Sequence, residues 1–135
     1  MAAQLKICGL MQPAQAASVA RLGANAIGVI AARPSARFLA PELRPALWKA
    51  VEHTNPQCCR VLVVVNPSDS ELDSLRPEQG HQLLQLHGEE TPERCQQLRE
   101  ELGLPLWKAL RIRSAADLKR AETYSAVVEI GRAHV

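Results

Sequence analysis

Two runs of the chain are apolar almost from end to end: Ala26–Ala32, and the stretch Val61–Val65 inside Arg60–Val65. A strand with one face in water alternates apolar and polar residues, because successive side chains point to opposite faces. A strand without that alternation is covered on both faces. Such strands belong to parallel sheets with helices packed against them. The rest of the sequence is read under that constraint.

Helical segments stand between the strands. Gln4–Cys8 reads as the first strand, closed by Gly9. The helix after it has Pro13 in its first turn and Gly23 just past its end, the usual asymmetry of helix termini. Ala16, Val19, Ala20 and Gly23 share one face of it. Ala26–Ala32 is the second strand. The next helix spans about Glu42–Val51, with Leu43, Leu47, Ala50 and Val51 at helical spacing. Pro45 removes a backbone donor there, so regular helix is expected to begin near it. Arg60–Val65 is the third strand, rich in β-branched valine and ended by Asn66-Pro67. Ser68 and Glu71 match a capping box for a short helix. Gln82–His87 is the fourth strand, closed by Gly88. Thr91 caps a helix with Pro92 at its first position, with Cys95, Leu98 and Leu102 inward and Gly103 as its stop. Leu104–Leu110 is the fifth strand. Ser114 and Asp117 cap the helix after it, and Ser125–Val128 reads as the sixth strand.

Strand and helix therefore alternate, which means a parallel sheet with right-handed crossovers. Two architectures meet that description. One is a doubly wound open sheet. The other is a (βα)8 TIM barrel cut short, since a full barrel takes about 250 residues and at least about 200, and this chain has 135. Length alone favours the open sheet.

Composition excludes several functions. Lys and Arg number 16 against 14 Asp and Glu, with no basic run longer than two residues, so no nucleic-acid footprint is present. One Phe, one Tyr and two Trp supply no stacking platform for single strands. The longest apolar run falls far short of the ~20 residues of a membrane span, and the N-terminus lacks the pattern of a signal peptide. Cys8, Cys58, Cys59 and Cys95 form no CxxC and lack metal-ligand spacing. Free thiols in a reducing cytoplasm are the expected state. No metal and no cofactor are implied.

In both architectures ligands bind at the carboxyl ends of the strands. The polar residues there are Cys8, then Ser35 and Arg37 in the loop after the second strand, Asn66 and His87, with Lys108 on the fifth strand. Lys6 and Cys8 share one strand face, as do Gln85 and His87. Each residue has a plain alternative. Cys8 can be a small buried hydrophobe, Arg37 a solvated loop residue, His87 a strand-end histidine held by a carbonyl, and Asn66-Pro67 only a turn. Lys6 and Lys108 can point at solvent. Cys58, Cys59 and Cys95 are read as structural. Taken together, the residues suggest a site. A thiolate serves as a general base when nearby positive charge lowers its pKa from ~8.5, and a loop arginine can hold a carboxylate bidentately.

The ordered set resembles the phosphoribosylanthranilate isomerase family. Lys6-Ile7-Cys8-Gly9-Leu10 resembles its opening, and the likeness continues in register. Gly23-Ala24-Asn25-Ala26-Ile27-Gly28 resembles its second strand, Pro34-Ser35-Ala36-Arg37 its Ser-x-Arg loop, and Val63-Val64-Val65-Asn66 its third strand. Gln85-Leu86-His87-Gly88-Glu89-Glu90 resembles its fourth strand and Trp107-Lys108-Ala109-Leu110 its fifth. The resemblance implies a parallel (βα)8 TIM barrel truncated to about five and a half βα units. It implies an enzyme of tryptophan biosynthesis, an intramolecular aldose–ketose isomerase that needs no cofactor. The substrate implied is a small phosphorylated sugar–anthranilate conjugate, with no nucleic acid and no membrane involved. Cys8 is then the catalytic base, and Arg37 and His87 bind substrate. Another phosphosugar barrel enzyme fits the Cys8-Gly9 opening less well. The alternative is a non-catalytic open-sheet α/β binding module. A receiver would need clustered acids after the first strand, and a nucleotide-binding version a Gly-rich turn that Gly9-Leu10-Met11-Gln12 lacks.

The chain departs from that family at its end. The general acid implied is an Asp at the end of the sixth strand, and here Glu129 follows Val128. We do not read Glu129 as its replacement. The seventh and eighth strands, whose loops are implied to bind phosphate, are missing too. Ile130-Gly131-Arg132-Ala133-His134-Val135 is the translation of ATCGGAAGAGCACACGTC, the opening of a common short-read sequencing adapter. The reading is therefore two segments: 1–128 as an incomplete barrel and 129–135 as adapter read-through, excluded from the fold. A chain ending there is expected to be unstable and inactive, because its first and last strands are left unpaired.

Overall fold

The computed structural model describes residues 4–125 and 127–132, with side chains given as far as Val128. Six strands form one sheet: β1 (Lys6–Cys8), β2 (Ala26–Ile30), β3 (Cys59–Val64), β4 (Leu83–Leu86), β5 (Leu106–Leu110) and β6 (Glu129–Arg132). Four helices connect them: α1 (Pro13–Arg21), α2 (Arg44–Thr54), α3 (Pro92–Leu102) and α4 (Ala115–Glu122). All neighbouring strands pair in parallel, in the order β1-β2-β3-β4-β5-β6. A doubly wound sheet reverses its strand order at a switch point. A strictly sequential order with right-handed crossovers instead puts every helix on one face, as in the wall of a barrel. The order argues against the doubly wound open sheet of the alternative reading.

The sequence explains most boundaries. Pro13 stands in the first turn of α1, and Gly23 lies just beyond its end with φ +100°. The chain around Pro41 makes one 3-10 turn, and α2 then begins at Arg44 with Pro45 in its first turn, where a missing N–H costs nothing. Thr91 accepts a hydrogen bond from the Arg94 N–H at the head of α3, and Gly103 ends that helix with φ +64°. The capping box of Ser68 and Glu71 forms, but it opens a 3-10 helix over Asp69–Leu75 rather than an α-helix. Its apolar residues Leu72 and Leu75 are three apart, a spacing that a 3-10 turn stacks on one side.

The sixth strand is where the expectation fails. Ser125–Val128 was expected to be extended, yet the N–H groups of Val127 and Val128 both turn back to the Tyr124 carbonyl, at 3.0 and 3.1 Å. Tyr124 is buried, and its hydroxyl donates to the Glu90 carbonyl at 2.7 Å. That anchor holds the end of α4 against the sheet and delays the strand. Pairing with β5 begins at Glu129, opposite Trp107, and runs to Arg132, opposite Leu110. The backbone of 129–132 thus extends the sheet, while 133–135 of the segment read as appended lie outside the described residues.

Two cores lie on the two faces of the sheet. Ile27, Val29, Leu62, Val64, Leu84, Leu86, Leu106 and Leu110 pack against the helices through Ala16, Leu47, Trp48, Val51, Leu98 and Leu102. Ala26, Ile30, Val61, Val63 and Leu83 form a smaller cluster on the opposite, barrel-interior face, with Cys8, Cys59 and Trp107 against it. Apolar residues on both faces of β2 and β3 account for their lack of alternation.

His81 is buried at 2 % exposure, and its Nε2–H donates to the Leu75 carbonyl at 2.7 Å. Burial lowers its pKa below the ordinary 6.5, reinforced by the charges of Arg44 and Arg60 and opposed by the Leu75 carbonyl and Glu78. A base with a depressed folded-state pKa must remain neutral for the fold to persist. Its contribution to stability is fully present above about pH 6.5 and is lost as pH falls through the folded value. The urea midpoint is therefore expected to fall between about pH 7 and pH 5, and to fall less in His81→Gln. Equal pH slopes in the two proteins would remove His81 as the source.

Candidate active site

The carboxyl end of the sheet collects the residues singled out by sequence. Cys8 is the last residue of β1, half-buried, and pairs in register with Gly28. A Cβ at position 28 would stand 2.7 Å from the Cys8 Sγ, so the missing side chain there is the space the thiol occupies. Gly9 follows with φ +85°, donating its N–H to the Gly28 carbonyl at 2.9 Å. A β-carbon at position 9 would meet the Arg37 guanidinium at 2.4 Å. Arg37 therefore lies flat across Gly9, and its Nη1 donates to the Cys8 carbonyl at 3.4 Å.

The loop that carries Arg37 is tied down locally. The Ser35 hydroxyl accepts the Arg37 N–H at 3.1 Å. A single bridge pairs Phe38 with Ile30 beyond the end of β2, and the Leu39 N–H donates to the Ile30 carbonyl at 2.9 Å. Buried Arg44 holds the far side of the loop by donating to the Leu39 carbonyl at 2.9 Å.

His87 stands just beyond β4, exposed, with its N–H donated to the Val64 carbonyl at 2.9 Å. It borders a cleft of about 310 Å³ with Arg111, Arg113 and Arg120. No hydrogen bond joins His87 to Cys8 or Arg37 among the described residues. Their relation comes from the layer beneath. Lys6 Nζ donates to Gln85 Oε1 from β1 to β4, and lies 5.7 Å over the Trp107 ring on β5. On a flat sheet β1 and β4 would be about 14 Å apart, three strand spacings. The bond from Lys6 to Gln85 therefore shows that the wall curls. Cys8 and His87 each lie two residues further along the same strand faces and so project from the same concave side. Lys6 is an interior residue rather than a solvated one.

Lys108 is placed otherwise than its position near the site suggested. It shares a face with Leu106 and Leu110, away from Cys8, and its side chain is 1 % exposed. Its Nζ donates at 2.5 Å to both the Gly88 carbonyl and Glu90 Oε1. Glu90, equally buried, accepts from the Gly88 N–H at 3.0 and 3.2 Å and from the Asn66 N–H at 2.7 Å. Asn66 takes φ +44°, and its Oδ1 accepts the Glu89 N–H at 2.9 Å. Asn66-Pro67 is thus more than a turn. Glu90 was not singled out by sequence. The signal was Lys108 between two leucines at alternate positions, since a lysine on a buried face needs an acid.

The remaining thiols behave as structural groups. Burial raises the pKa of Cys58 and Cys59, and pushes Cys95 up to about 11. All four cysteines are free. Among the described residues no group of His, Cys, Asp or Glu could hold a metal ion, and no helix is long and apolar enough to cross a membrane.

Comparison with known proteins agrees with this layout. The family model described as N-(5'-phosphoribosyl)anthranilate (PRA) isomerase matches residues 5–130. An N-(5'-phosphoribosyl)anthranilate isomerase of Synechococcus elongatus is 44% identical over 96% of this chain, covering 59% of the relative. The crystal structure of phosphoribosyl anthranilate isomerase from Thermotoga maritima superposes with a TM-score of 0.80 at 25% identity, over 99% of this chain and 63% of that one. A phosphoribosyl anthranilate isomerase in complex with reduced 1-(o-carboxyphenylamino)-1-deoxyribulose 5-phosphate matches with a TM-score of 0.79 at 25% identity, over 98% of this chain and 66% of that one. The chain spans about three-fifths of the length of the curated relatives it matches.

Proposed function

We propose that this chain, which belongs to the phosphoribosylanthranilate isomerase family, is the first part of an enzyme that rearranges N-(5'-phosphoribosyl)anthranilate to 1-(2-carboxyphenylamino)-1-deoxyribulose 5-phosphate in tryptophan biosynthesis. The observation that carries the reading is the Cys8 thiol at the carboxyl end of β1. It is seated over Gly28, with Arg37 laid across the adjoining Gly9.

The chemistry is an Amadori rearrangement. An acid protonates the furanose oxygen, the C1–O bond breaks, and the anilino nitrogen becomes a protonated imine. A base then removes the proton from C2, and the electron pair moves toward the imine nitrogen to give an enol-amine that tautomerises to the ketone. The imine is the electron sink, so no cofactor is required. Cys8 is the base. Arg37 binds the anthranilate carboxylate, and His87 lines the pocket. The acid and the phosphate loops belong to sequence beyond this chain. We read residues 129–135 as adapter read-through from the string they translate; separately, Glu129 pairs at the amino end of β6, opposite Trp107, the wrong end of the strand for the acid. The chain alone is inactive for want of those groups, and we place the parent protein in the cytoplasm.

The test is recovery of the full reading frame from the source DNA, followed by complementation of a tryptophan auxotroph lacking this isomerase. Rescue by a frame that continues past Val128 into an Asp supports the reading. A native frame ending at Val135, with no rescue, overturns it. In the same protein Gly28→Ala is expected to displace the thiol. Turnover should fall at least about tenfold, as for misplacement by a fraction of an ångström to an ångström, with a stability cost of about 1–3 kcal/mol. Unchanged turnover in Gly28→Ala would show that the thiol's seat does not matter.

A further inference from the structure

The turn that presents His87 is held from behind, on the face of the sheet opposite the site. Glu90 takes up the N–H groups of Gly88 and Asn66, and Lys108 takes up the Gly88 carbonyl and the Glu90 carboxylate. Tyr124 closes the group, its hydroxyl on the Glu90 carbonyl and its ring 5.7 Å from Lys108 Nζ. Four backbone polar groups at and just after the ends of β3 and β4 thus terminate on three side chains. The packing is dry: the Lys108 and Glu90 side chains are each 1 % exposed, and Cys95 nearby is fully buried. A Cβ on Gly88 would strike the Asn66 side chain at 2.8 Å, so the two strand ends are in direct contact.

An ion pair sealed from water adds little stability over an apolar pair of the same volume. Stability alone therefore does not account for this one. What an apolar pair cannot do is accept two N–H groups and donate to a carbonyl on the loop. We propose that Glu90 and Lys108 are positioning residues, fixing the 87–89 turn and Asn66 so that His87 is presented to substrate in one orientation. This rests on reading His87 as a substrate-lining residue.

Hydrogen exchange read by mass spectrometry at micromolar concentration tests the pair without requiring activity. In Glu90→Gln the amides of 87–89 are expected to exchange about tenfold to a hundredfold faster, the range for losing hydrogen bonds to a charged group, while β3 and β4 stay protected. Leu98→Val, a change in the same core, should speed exchange without singling out the turn. The apolar pair Glu90→Leu with Lys108→Met should recover thermal stability and leave the turn fast. Should that double variant be unstable, Glu90→Gln alone decides. Unchanged protection of 87–89 in Glu90→Gln, or its full recovery in the apolar pair, overturns the proposal. In the parent isomerase Glu90→Gln should lower kcat at least about tenfold with a smaller change in KM, and wild-type turnover with a loosened turn also overturns it. An inactive wild-type parent would overturn the isomerase reading instead, and the exchange comparison still judges the pair.

Discussion

Cys8→Ala in the parent enzyme is expected to lower kcat by about 10²–10⁴-fold, the usual contribution of a positioned general base, with little change in KM. Steady-state kinetics with the aminoaldose would show it, and complementation would fail at the same time. The effect should be specific to this thiol. Cys59 also lies on the interior face, but burial raises its pKa, and Cys59→Ser is expected to retain activity. Cys8→Ser should fall near Cys8→Ala, because a hydroxyl in the same seat is a far weaker acid than a thiol and leaves almost no oxyanion at neutral pH. Activity of Cys8→Ala within about tenfold of wild type would assign proton removal to another group.

Lys108→Met is expected to destabilise the fold by about 3–5 kcal/mol, read from the urea midpoint and slope. Methionine fills nearly the same volume, so little of the loss comes from packing. It comes from the Glu90 carboxylate, left 1 % exposed with backbone N–H groups and no countercharge. Against a total of about 5–15 kcal/mol for an ordinary domain, that is a large fraction. A loss under about 1 kcal/mol in Lys108→Met would mean that water reaches the carboxylate and that the pair is not sealed.

Most of the fold is legible in the residues because its signals are local. Pro13, Thr91, Gly103 and the capping box at Ser68 each act within one turn of their own position, and each is found where the sequence puts it. The unbroken apolar character of β2 and β3 correctly gives a parallel sheet. What sequence misplaces depends on partners far along the chain. β6 begins later than expected because Tyr124 is tied to Glu90, 34 residues before it. Lys108 looks like a site residue because it lies on a strand whose neighbours end in site residues. Only the alternation with Leu106 and Leu110 shows that it faces the helices. Strand phase likewise puts Cys8 with Lys6, and His87 with Gln85. Contact between Lys6 and Gln85 required the curl of the sheet, which no local pattern encodes. Arg37 lies over Gly9 because of a loop anchored at Ile30 and Arg44, again at a distance in sequence.

A sheet whose strands are stacked in chain order has a consequence for synthesis. Each strand pairs with the one made just before it, so every closure spans one strand–helix unit, and none has to wait for a distant partner. Such wiring keeps contacts short-range for a β-containing protein and favours quick, stepwise addition. A nascent chain can lay down β1, then β2, then β3 as each leaves the ribosome. In the complete barrel of this family, only the joining of the last strand to β1 links the two ends of the polypeptide, and it is the final event.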